Sequence, residues 1–330
     1  MPVRRLVVLL LLVLASLGAG AYLWLQQPLE LVAESPLDLS IEPGTSARAV
    51  AQSVRDAGVK VNPTALYWWF RLSGQARQIK AGSYEIESGS TPWRLLEKLV
   101  HGDEALRSLT LVEGWNIRQV REALAKAESL KPATKDLTDE ALMTALGMPG
   151  THPEGRFFPD TYTYAKGSSD LALLKRAQRA EAKHLQAAWS QRSADSPLKT
   201  PEEALILASI VEKETGRASD RAQVAGVFVN RLRLGMPLQT DPTVIYGLGA
   251  RYDGRLHRRD LQTDTAYNTY TRSGLPPTPI AMPGKASLLA AVLPAPTKAL
   301  YFVSRGDGSS QFSATLEEHN RAVNKYLRGQ

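Results

Sequence analysis

The sequence predicts an α+β protein that follows one membrane-spanning helix. Three observations support this prediction. The segment from Leu6 to Leu25 is apolar and carries no charge. After it, a short strand, a glycine-containing turn and a helix follow one another three times. The second half of the chain then joins long helices through polar loops, without the regular strand–helix alternation that builds a parallel doubly wound sheet.

The amino-terminal apolar segment is long enough to cross the hydrocarbon core of a bilayer as a helix. Arg4 and Arg5 precede it, so residues 1–5 are expected to form a short cytoplasmic tail. The alternative is a cleaved signal peptide, because Ala19-Gly20-Ala21 resembles a small-residue cleavage site. The length of the apolar run favours an uncleaved anchor over residues 6–25.

A Pro-containing linker over residues 26–39 leads into the three strand–turn–helix units. Their strands end at Glu42, Glu87 and Glu113, and their helices are expected over 47–57, 91–100 and 117–127. Because each helix has one apolar face, the units are expected to pack as small α+β layers. We predict a subdomain at residues 40–105 and a larger mixed α+β domain at 106–330. In the larger domain, helices are expected within 166–196 and over 219–234, 287–292 and 315–327, with a strand over 300–304.

A helix over residues 201–214 carries the candidate catalytic acid. Thr200 is placed to cap its amino end, Pro201 suits the first helical position, and Gly216 is expected to supply a left-handed stop. Glu214 ends the apolar stripe of this helix, where desolvation raises the pKa of a carboxyl group, as a general acid requires. Glu212 lies roughly 200° round the helix. The alternative is that both glutamates only solvate the helix end.

Glycosidases commonly use two carboxylates, but no second carboxylate is distinguished by its surroundings in this sequence. Asp241 precedes Pro242 and is expected to cap a short helix. A single buried acid indicates a mechanism in which the substrate supplies its own nucleophile.

The loops that follow the acid helix are rich in Asn, Gln, Thr and Tyr, which suits a site that holds a sugar. Asn230 is a further predicted substrate-binding residue, because it projects away from the apolar stripe of its helix. The predicted substrate-binding residues are Gln239, Thr240, Asp241, Tyr246, Tyr267, Asn268, Tyr270 and Asn230.

Composition and motifs argue against several other classes of function. The chain has no cysteine, five scattered histidines and no His-Glu-x-x-His motif, so neither a metal site nor a cofactor is predicted. A net charge of +7 suits contact with anionic lipid or carboxylates. No nucleic-acid-binding motif appears, and no nucleic-acid partner is predicted. His184 and His319 lie in charged helices and are expected to be exposed.

Four segments in order resemble the bacterial endolytic murein transglycosylase family (MltG, YceG-like). They are Glu154-Gly155-Arg156-Phe157-Phe158-Pro159-Asp160-Thr161-Tyr162, Ala208–Thr215, Leu238–Gly247 and Thr265–Tyr270. The resemblance extends from about Ile41 to Leu327, and Arg156 stands where an aromatic or aliphatic residue is common. It implies that Glu214, the second glutamate of the Glu-Lys-Glu triplet, is the catalytic acid, and that residues 40–105 form a LysM-like glycan-binding subdomain. The alternative for this subdomain is plain structural support.

The resemblance further implies a lyase that is anchored in the inner membrane by a single span, with its catalytic domain in the periplasm. Such an enzyme cleaves the β-1,4 bond from N-acetylmuramic acid (MurNAc) to N-acetylglucosamine (GlcNAc) within peptidoglycan strands and leaves 1,6-anhydroMurNAc ends. Acting on nascent strands, it limits their length beside the wall-synthesis enzymes. Two alternatives stay open: a muramidase that uses the same acid with water as nucleophile, and a wall-binding scaffold without catalysis.

Overall fold

The computed structural model describes residues 2–32 and 36–329, and the chain in it divides into two compact units. The first unit comprises the residues up to Arg107 together with 163–167, and the second comprises 108–162 and the residues from Ser168 onwards. The division lies close to the boundary expected after residue 105. The sequence did not indicate that 163–167 belong to the first unit.

The first unit opens with helix α1 (Pro2–Gln26), whose stretch Val7–Gln26 has a mean hydropathy of 2.3. Residues 7–23 of this stretch are exposed, whereas Leu25 is buried. By length and composition this stretch can cross a bilayer. The remaining elements of the unit are β1 (Leu37–Ile41), α2 (Ala47–Asp56), α3 (Pro63–Leu72), β2 (Gly82–Ile86) and α4 (Pro92–His101).

Strands β1 and β2 pair in antiparallel register, with Leu39 opposite Tyr84. Alternate residues of β1 face a core formed with the apolar faces of α2, α3 and α4, so the strand is polar on its other side. The three helices begin at side-chain caps, because Ser46, Asn62 and Thr91 each accept a backbone N–H of the first turn.

Strands β3 (Leu106–Thr110) and β4 (Thr161–Ala165) pair with each other, and α5 (Ile117–Lys126) and α6 (Asp139–Ala145) lie between them in the chain. The prediction that the third strand runs to Glu113 is wrong. The backbone N–H of Trp115 donates to the carbonyl of Val112, so the chain is already turning where a strand was expected.

The second unit is mostly helical and is built around one buried helix. Its further elements are α7 (Asp170–Trp189), α8 (Pro201–Glu214), α9 (Ala218–Arg233), α10 (Asp241–Leu248), a 3-10 turn (Gly249–Arg251), α11 (Arg258–Gln262), α12 (Lys285–Val292), β5 (Tyr301–Ser304), β6 (Ser310–Ser313) and α13 (Leu316–Leu327). Helix α8 packs against α7, α9, α10 and α12, and β5 pairs with β6 in antiparallel register. The predicted mixed α+β fold is confirmed, although β6 was not foreseen.

The start of helix α8 was predicted correctly from the sequence, but the signal that ends the helix was not. Thr200 accepts the backbone N–H of Glu203 at 3.2 Å, and Pro201 occupies the first turn, as expected. The predicted left-handed stop at Gly216 is wrong. The helix ends at Glu214 because Thr215 is already extended (φ −141°, ψ 127°), and Gly216 does not have a positive φ. Glu214 is therefore the last helical residue.

Candidate active site

Glu214 is half-buried and ends a helix whose central stretch is fully enclosed by the core. Every residue of α8 from Ala204 to Val211 is buried, which leaves the helix no solvated face along that stretch. The stripe formed by Leu207, Ile210 and Val211 is fully buried and leads directly to Glu214. The rigid core thus fixes the position of this carboxyl group.

The surroundings of Glu214 favour its protonated form. Burial raises the pKa of this carboxyl group, and the nearby charge of Asp241 raises it further. The buried hydroxyl of Thr240 donates a hydrogen bond of 2.6 Å to Oε2 and acts in the opposite direction, because it stabilises the carboxylate. The net shift is upward. Such a group can donate a proton at a pH where an ordinary carboxyl group is ionised.

Glu212, two residues earlier, has a different environment. Its Oε2 accepts the backbone N–H of Gly284 at 2.9 Å, and its Oε1 lies 3.9 Å from the guanidinium of Arg221. Its side chain is only 7% exposed. Glu212 therefore links the segment before α12 to the end of α8 by a hydrogen bond, whereas the side chain of Glu214 lines a cavity.

The cavity at Glu214, here called the acid cleft, has a volume of about 480 Å³. Residues from α8, α9, the loop before α10, β5 and α13 surround it. The lining side chains are Glu214, Arg231, Leu238, Gln239, Asp241, Tyr270, Tyr301, Phe302, Val303, Leu316, His319, Val323 and Leu327. Of the residues predicted from the sequence, the structure brings Gln239, Asp241 and Tyr270 into this cleft beside Glu214, with Thr240 behind the acid. The hydroxyl of Tyr270 donates to Oδ1 of Asp241 at 2.6 Å.

Arg231 is a functional candidate that the sequence reasoning missed. This arginine is 7% exposed, and its guanidinium donates to the carbonyls of Pro237, Leu238 and Leu300 at 2.7–3.1 Å. It also donates to Oε1 of Gln239, a residue held at φ +52°. A non-glycine residue in this region is strained, so Arg231 helps to hold the wall of the acid cleft in an unfavourable backbone conformation. The sequence predicted the neighbouring Asn230 instead, because that residue projects away from the apolar stripe of its helix.

His319 also belongs to the acid cleft, and the prediction that it is exposed is wrong. Its ring stacks on Tyr301 with centroids 5.2 Å apart, and burial together with the charge of Arg231 lowers its pKa. Within residues 2–32 and 36–329, no group hydrogen bonds to its Nδ1. His184 is likewise half-buried, because its ring stacks on Phe158 at 3.9 Å.

Tyr246, in α10, and Tyr267, in the loop after α11, form a second group. Their rings meet edge to face with centroids 4.9 Å apart, and the hydroxyl of Tyr267 is hydrogen bonded to Oγ1 of Thr278 at 2.8 Å. Tyr246 lines a second cavity of about 490 Å³ together with Lys213 and Pro242. Lys213 directly precedes Glu214 in the chain, and Pro242 directly follows Asp241. Because Glu214 and Asp241 line the acid cleft, the two cavities lie on either side of the junction of α8 and α10.

Glu154, from the first of the four sequence segments, supports this second group. It is fully buried, and both its oxygens lie 3.1 Å from the backbone nitrogen of Ile117, which donates to them. The hydroxyl of Tyr246 donates to the same carboxyl group. Burial raises the pKa of Glu154 to about 7. This glutamate joins the start of α5 to α10.

The structure does not bring Asn268 and Asn230 into contact with the acid cleft. Asn268 is fully buried: its Nδ2 donates to the carbonyls of Asp260 and Leu261 in α11 and of Thr263 just after it, and its Oδ1 accepts the N–H of Tyr270. It therefore shapes the loop that presents Tyr270. The Nδ2 of Asn230 donates to the carbonyls of Thr297 and Ala299 beside a different cavity.

In the part of the chain that the structure describes, no group of three His, Asp or Glu side chains is arranged to hold a metal ion.

Comparisons with known proteins agree on one family. Residues 39–325 match the YceG-like family. An endolytic murein transglycosylase of Bacillus subtilis (strain 168) is 32% identical over 328 residues, which cover 93% of this chain and 90% of that protein. A protein of the same name from Streptococcus pneumoniae serotype 2 (strain D39) is 25% identical over 364 residues, which cover 98% of this chain and 66% of that protein. The crystal structure of a yceG-like protein from Listeria monocytogenes has a TM-score of 0.55 and 28% identity, covering 87% of this chain and 98% of that one.

Proposed function

Because the chain belongs to the YceG-like family, we propose that it is an endolytic peptidoglycan lytic transglycosylase in which Glu214 is the single acid and base. The observation that carries this proposal is the place of Glu214: a carboxyl group with a raised pKa, fixed at the end of a buried helix and facing a cleft of about 480 Å³. The curated relatives named above carry the corresponding activity in their names.

In the first step, protonated Glu214 gives its proton to the glycosidic oxygen between MurNAc and GlcNAc. The bond from C1 of MurNAc to this oxygen breaks, and GlcNAc leaves with a free hydroxyl group. Positive charge develops at C1, where the acetamido group of the same sugar stabilises it. A desolvated acid suits this step, because the low-dielectric site keeps the proton on the carboxyl group until the oxygen accepts it.

In the second step, ionised Glu214 removes the proton from the C6 hydroxyl of MurNAc, and the C6 oxygen bonds to C1. The 1,6-anhydro ring closes, and Glu214 is protonated again for the next turnover. Thr240 stabilises the carboxylate between the two steps through its hydrogen bond to Oε2. Asp241 is held by Tyr270 and acts on Glu214 through its charge, so the scheme assigns it no proton transfer.

The placement of the side chains supports a set of proposed substrate-binding roles. We assign Gln239, Asp241 and Tyr270 to direct contact with the glycan in the acid cleft. Tyr246 and Tyr267 would contact the strand beyond the junction of α8 and α10, since Tyr246 lines the cavity on that side. Asn268 would act by positioning Tyr270. For Asn230, the contacts support only a structural role.

The first unit would hold the enzyme on glycan close to the membrane. Support for a LysM-like role comes from its small antiparallel sheet with packed helices and from a groove of about 580 Å³ beside β2 and α4. The groove is lined by polar side chains that include Glu85, Arg94 and His101. The apolar stretch of α1 supports a single-pass anchor in the inner membrane with the catalytic unit in the periplasm. Work beside wall-synthesis enzymes is part of the same proposal.

Digestion of purified peptidoglycan tests the activity against a scaffold without catalysis. The purified full chain in detergent is incubated with sacculi, and the length of the glycan strands is followed with time. An endolytic enzyme shortens strands before small fragments accumulate. Unchanged strand lengths at every enzyme concentration would instead support the scaffold.

Thr240→Val should move the basic limb of the pH profile of kcat/KM to higher pH. The Thr240 hydroxyl stabilises ionised Glu214, so its loss raises the pKa of the acid and keeps it protonated further into the alkaline range. A hydrogen bond to a charged group contributes about 1.5–3 kcal/mol, which corresponds to a shift of about 1–2 pH units. Thr240→Ser is the matched control, because it retains the hydroxyl. An identical basic limb in the valine variant would contradict this role.

The anchor prediction is tested by cell fractionation. The full chain should remain with the membrane fraction after washing with high salt, because about 20 apolar residues insert through hydrophobic transfer, which salt does not weaken. Sequencing of the amino end should show that the apolar stretch is retained. A soluble mature protein beginning near Tyr22 would instead show that the segment is a signal peptide.

A further inference from the structure

The first unit carries an exposed apolar ridge that its own fold does not cover. The ridge, here called the aromatic ridge, consists of Trp68, Trp69, Leu72 and Trp93. Trp68 is 53% exposed, Leu72 81% and Trp93 41%. An exposed group of large apolar side chains is costly in water and commonly marks an interaction surface.

Helix α3 builds most of this ridge. Leu66 and Phe70 point into the core, and Trp68 lies roughly 200° round the helix from Leu66. Leu72 is four residues after Trp68 and three after Trp69, so it neighbours both on the helix surface. The ridge therefore runs along the side of α3 that faces away from Leu66, as far as the last residue of the helix, Leu72.

Trp93, at the start of α4, extends the ridge. Its ring lies 5.3 Å from that of Trp69, and Nε1 of Trp69 donates to the carbonyl of Pro92 at 3.2 Å. These contacts fix the positions of Trp69 and Trp93 relative to each other.

The apolar helix α1 ends beside the same surface. Trp24 packs against the core of the first unit, as does Trp69, and Leu29 is buried in that core. The backbone N–H of Leu29 donates to the carbonyl of Ser90 at 2.7 Å, three residues before Trp93. The point where the chain leaves the apolar helix is therefore fixed next to one end of the aromatic ridge.

We propose that the aromatic ridge lies in the headgroup region of the bilayer that α1 crosses, and that its partner is phospholipid. The inference rests on the proposed anchoring of α1. Tryptophan is enriched at this depth because its ring is apolar and its N–H is polar. Exposed Arg71 and Arg94 flank Leu72 and Trp93, so cations adjoin the ridge where anionic headgroups would lie. Continuity with α1 favours lipid over sugar as the occupant.

Single cysteine labels test the proposal, because the natural chain contains no cysteine. Trp68→Cys and Leu72→Cys are each labelled with a nitroxide in the full chain and reconstituted into vesicles of phosphatidylethanolamine and phosphatidylglycerol. Collision with oxygen, which concentrates in lipid, is compared with collision with a water-soluble nickel chelate. Leu17→Cys in the apolar helix is the lipid reference, and Glu42→Cys in an exposed turn of the first unit is the aqueous reference.

We expect both ridge labels to collide more with oxygen than with the chelate, and Glu42→Cys to show the reverse. Ridge labels that match Glu42→Cys while Leu17→Cys reports lipid would overturn the ridge proposal and leave the anchor intact. An aqueous Leu17→Cys label would overturn both. Labels that are aqueous in vesicles but immobilised by added glycan strands would show that the ridge binds sugar, which also contradicts the proposal.

Discussion

Replacing Glu214 by glutamine should lower the rate of anhydro-end formation on purified peptidoglycan by about 10²–10⁴-fold, the usual contribution of general acid–base catalysis. Glutamine keeps the shape of the side chain and can still accept the Thr240 hydroxyl, but it has no proton to give at the required pKa. The variant should therefore remain folded. Its thermal unfolding, measured beside the natural protein, separates lost chemistry from lost structure.

Glu212→Gln is the matched control, since it changes the same functional group two residues away on the same helix. Its amide oxygen can still accept the N–H of Gly284, and only the long contact with Arg221 is weakened. We expect the rate to fall by less than about tenfold, or about 1.4 kcal/mol. An inactive Glu212→Gln variant beside an active Glu214→Gln variant would reverse the assignment.

Glu181→Gln should stabilise the protein at alkaline pH. Glu181 lies in α7 with 3% exposure, and neither of its carboxyl oxygens has a hydrogen-bond partner among the described residues. Burial raises its pKa from 4.5 to about 8. The folded state holds the proton of Glu181 more tightly than the unfolded state does. The contribution of this group to the free energy of unfolding is therefore fully present below pH 4.5 and is lost as the pH rises to 8.

The size of this effect follows from the same shift. The natural protein should lose up to about 1.4 kcal/mol per pH unit from this group across that window, whereas the neutral glutamine loses none. The difference in unfolding free energy between Glu181→Gln and the natural protein should therefore grow with pH. Glu140→Gln, at an exposed glutamate, should show no such growth. A Glu181→Gln difference that stays constant from pH 5 to pH 8 would contradict the burial argument.

The local parts of the fold and of the candidate site were predictable from the sequence. Thr200 and Pro201 marked the start of α8, and the apolar period led to Glu214. Caps and periodicity act within one turn of helix, so a linear reading detects them. The end of α8 was less predictable. Thr215, the residue after Glu214, is already extended, so the helix ends without a left-handed glycine at Gly216.

The remaining parts of the site depend on contacts between distant residues. Arg231 bonds to the carbonyl of Leu300, and His319 reaches the acid cleft from α13, about a hundred residues after Glu214. No local pattern encodes such an approach. Asn268 was predicted to bind substrate from its residue type, but its amide bonds to backbone groups of α11 and of the segment after it. A polar side chain in a loop serves the loop as readily as a ligand.

The origin of the oxygen atoms at the newly formed MurNAc end tests the central claim most directly. Purified peptidoglycan is digested in water enriched in ¹⁸O, and the new ends are analysed by mass spectrometry. If Glu214 acts alone and the C6 hydroxyl is the nucleophile, the ends are 1,6-anhydroMurNAc, they are lighter than hydrolysed ends by one water, and they contain no ¹⁸O. Reducing MurNAc ends that carry one ¹⁸O atom would show that water attacks C1, and the proposed lytic mechanism would be wrong.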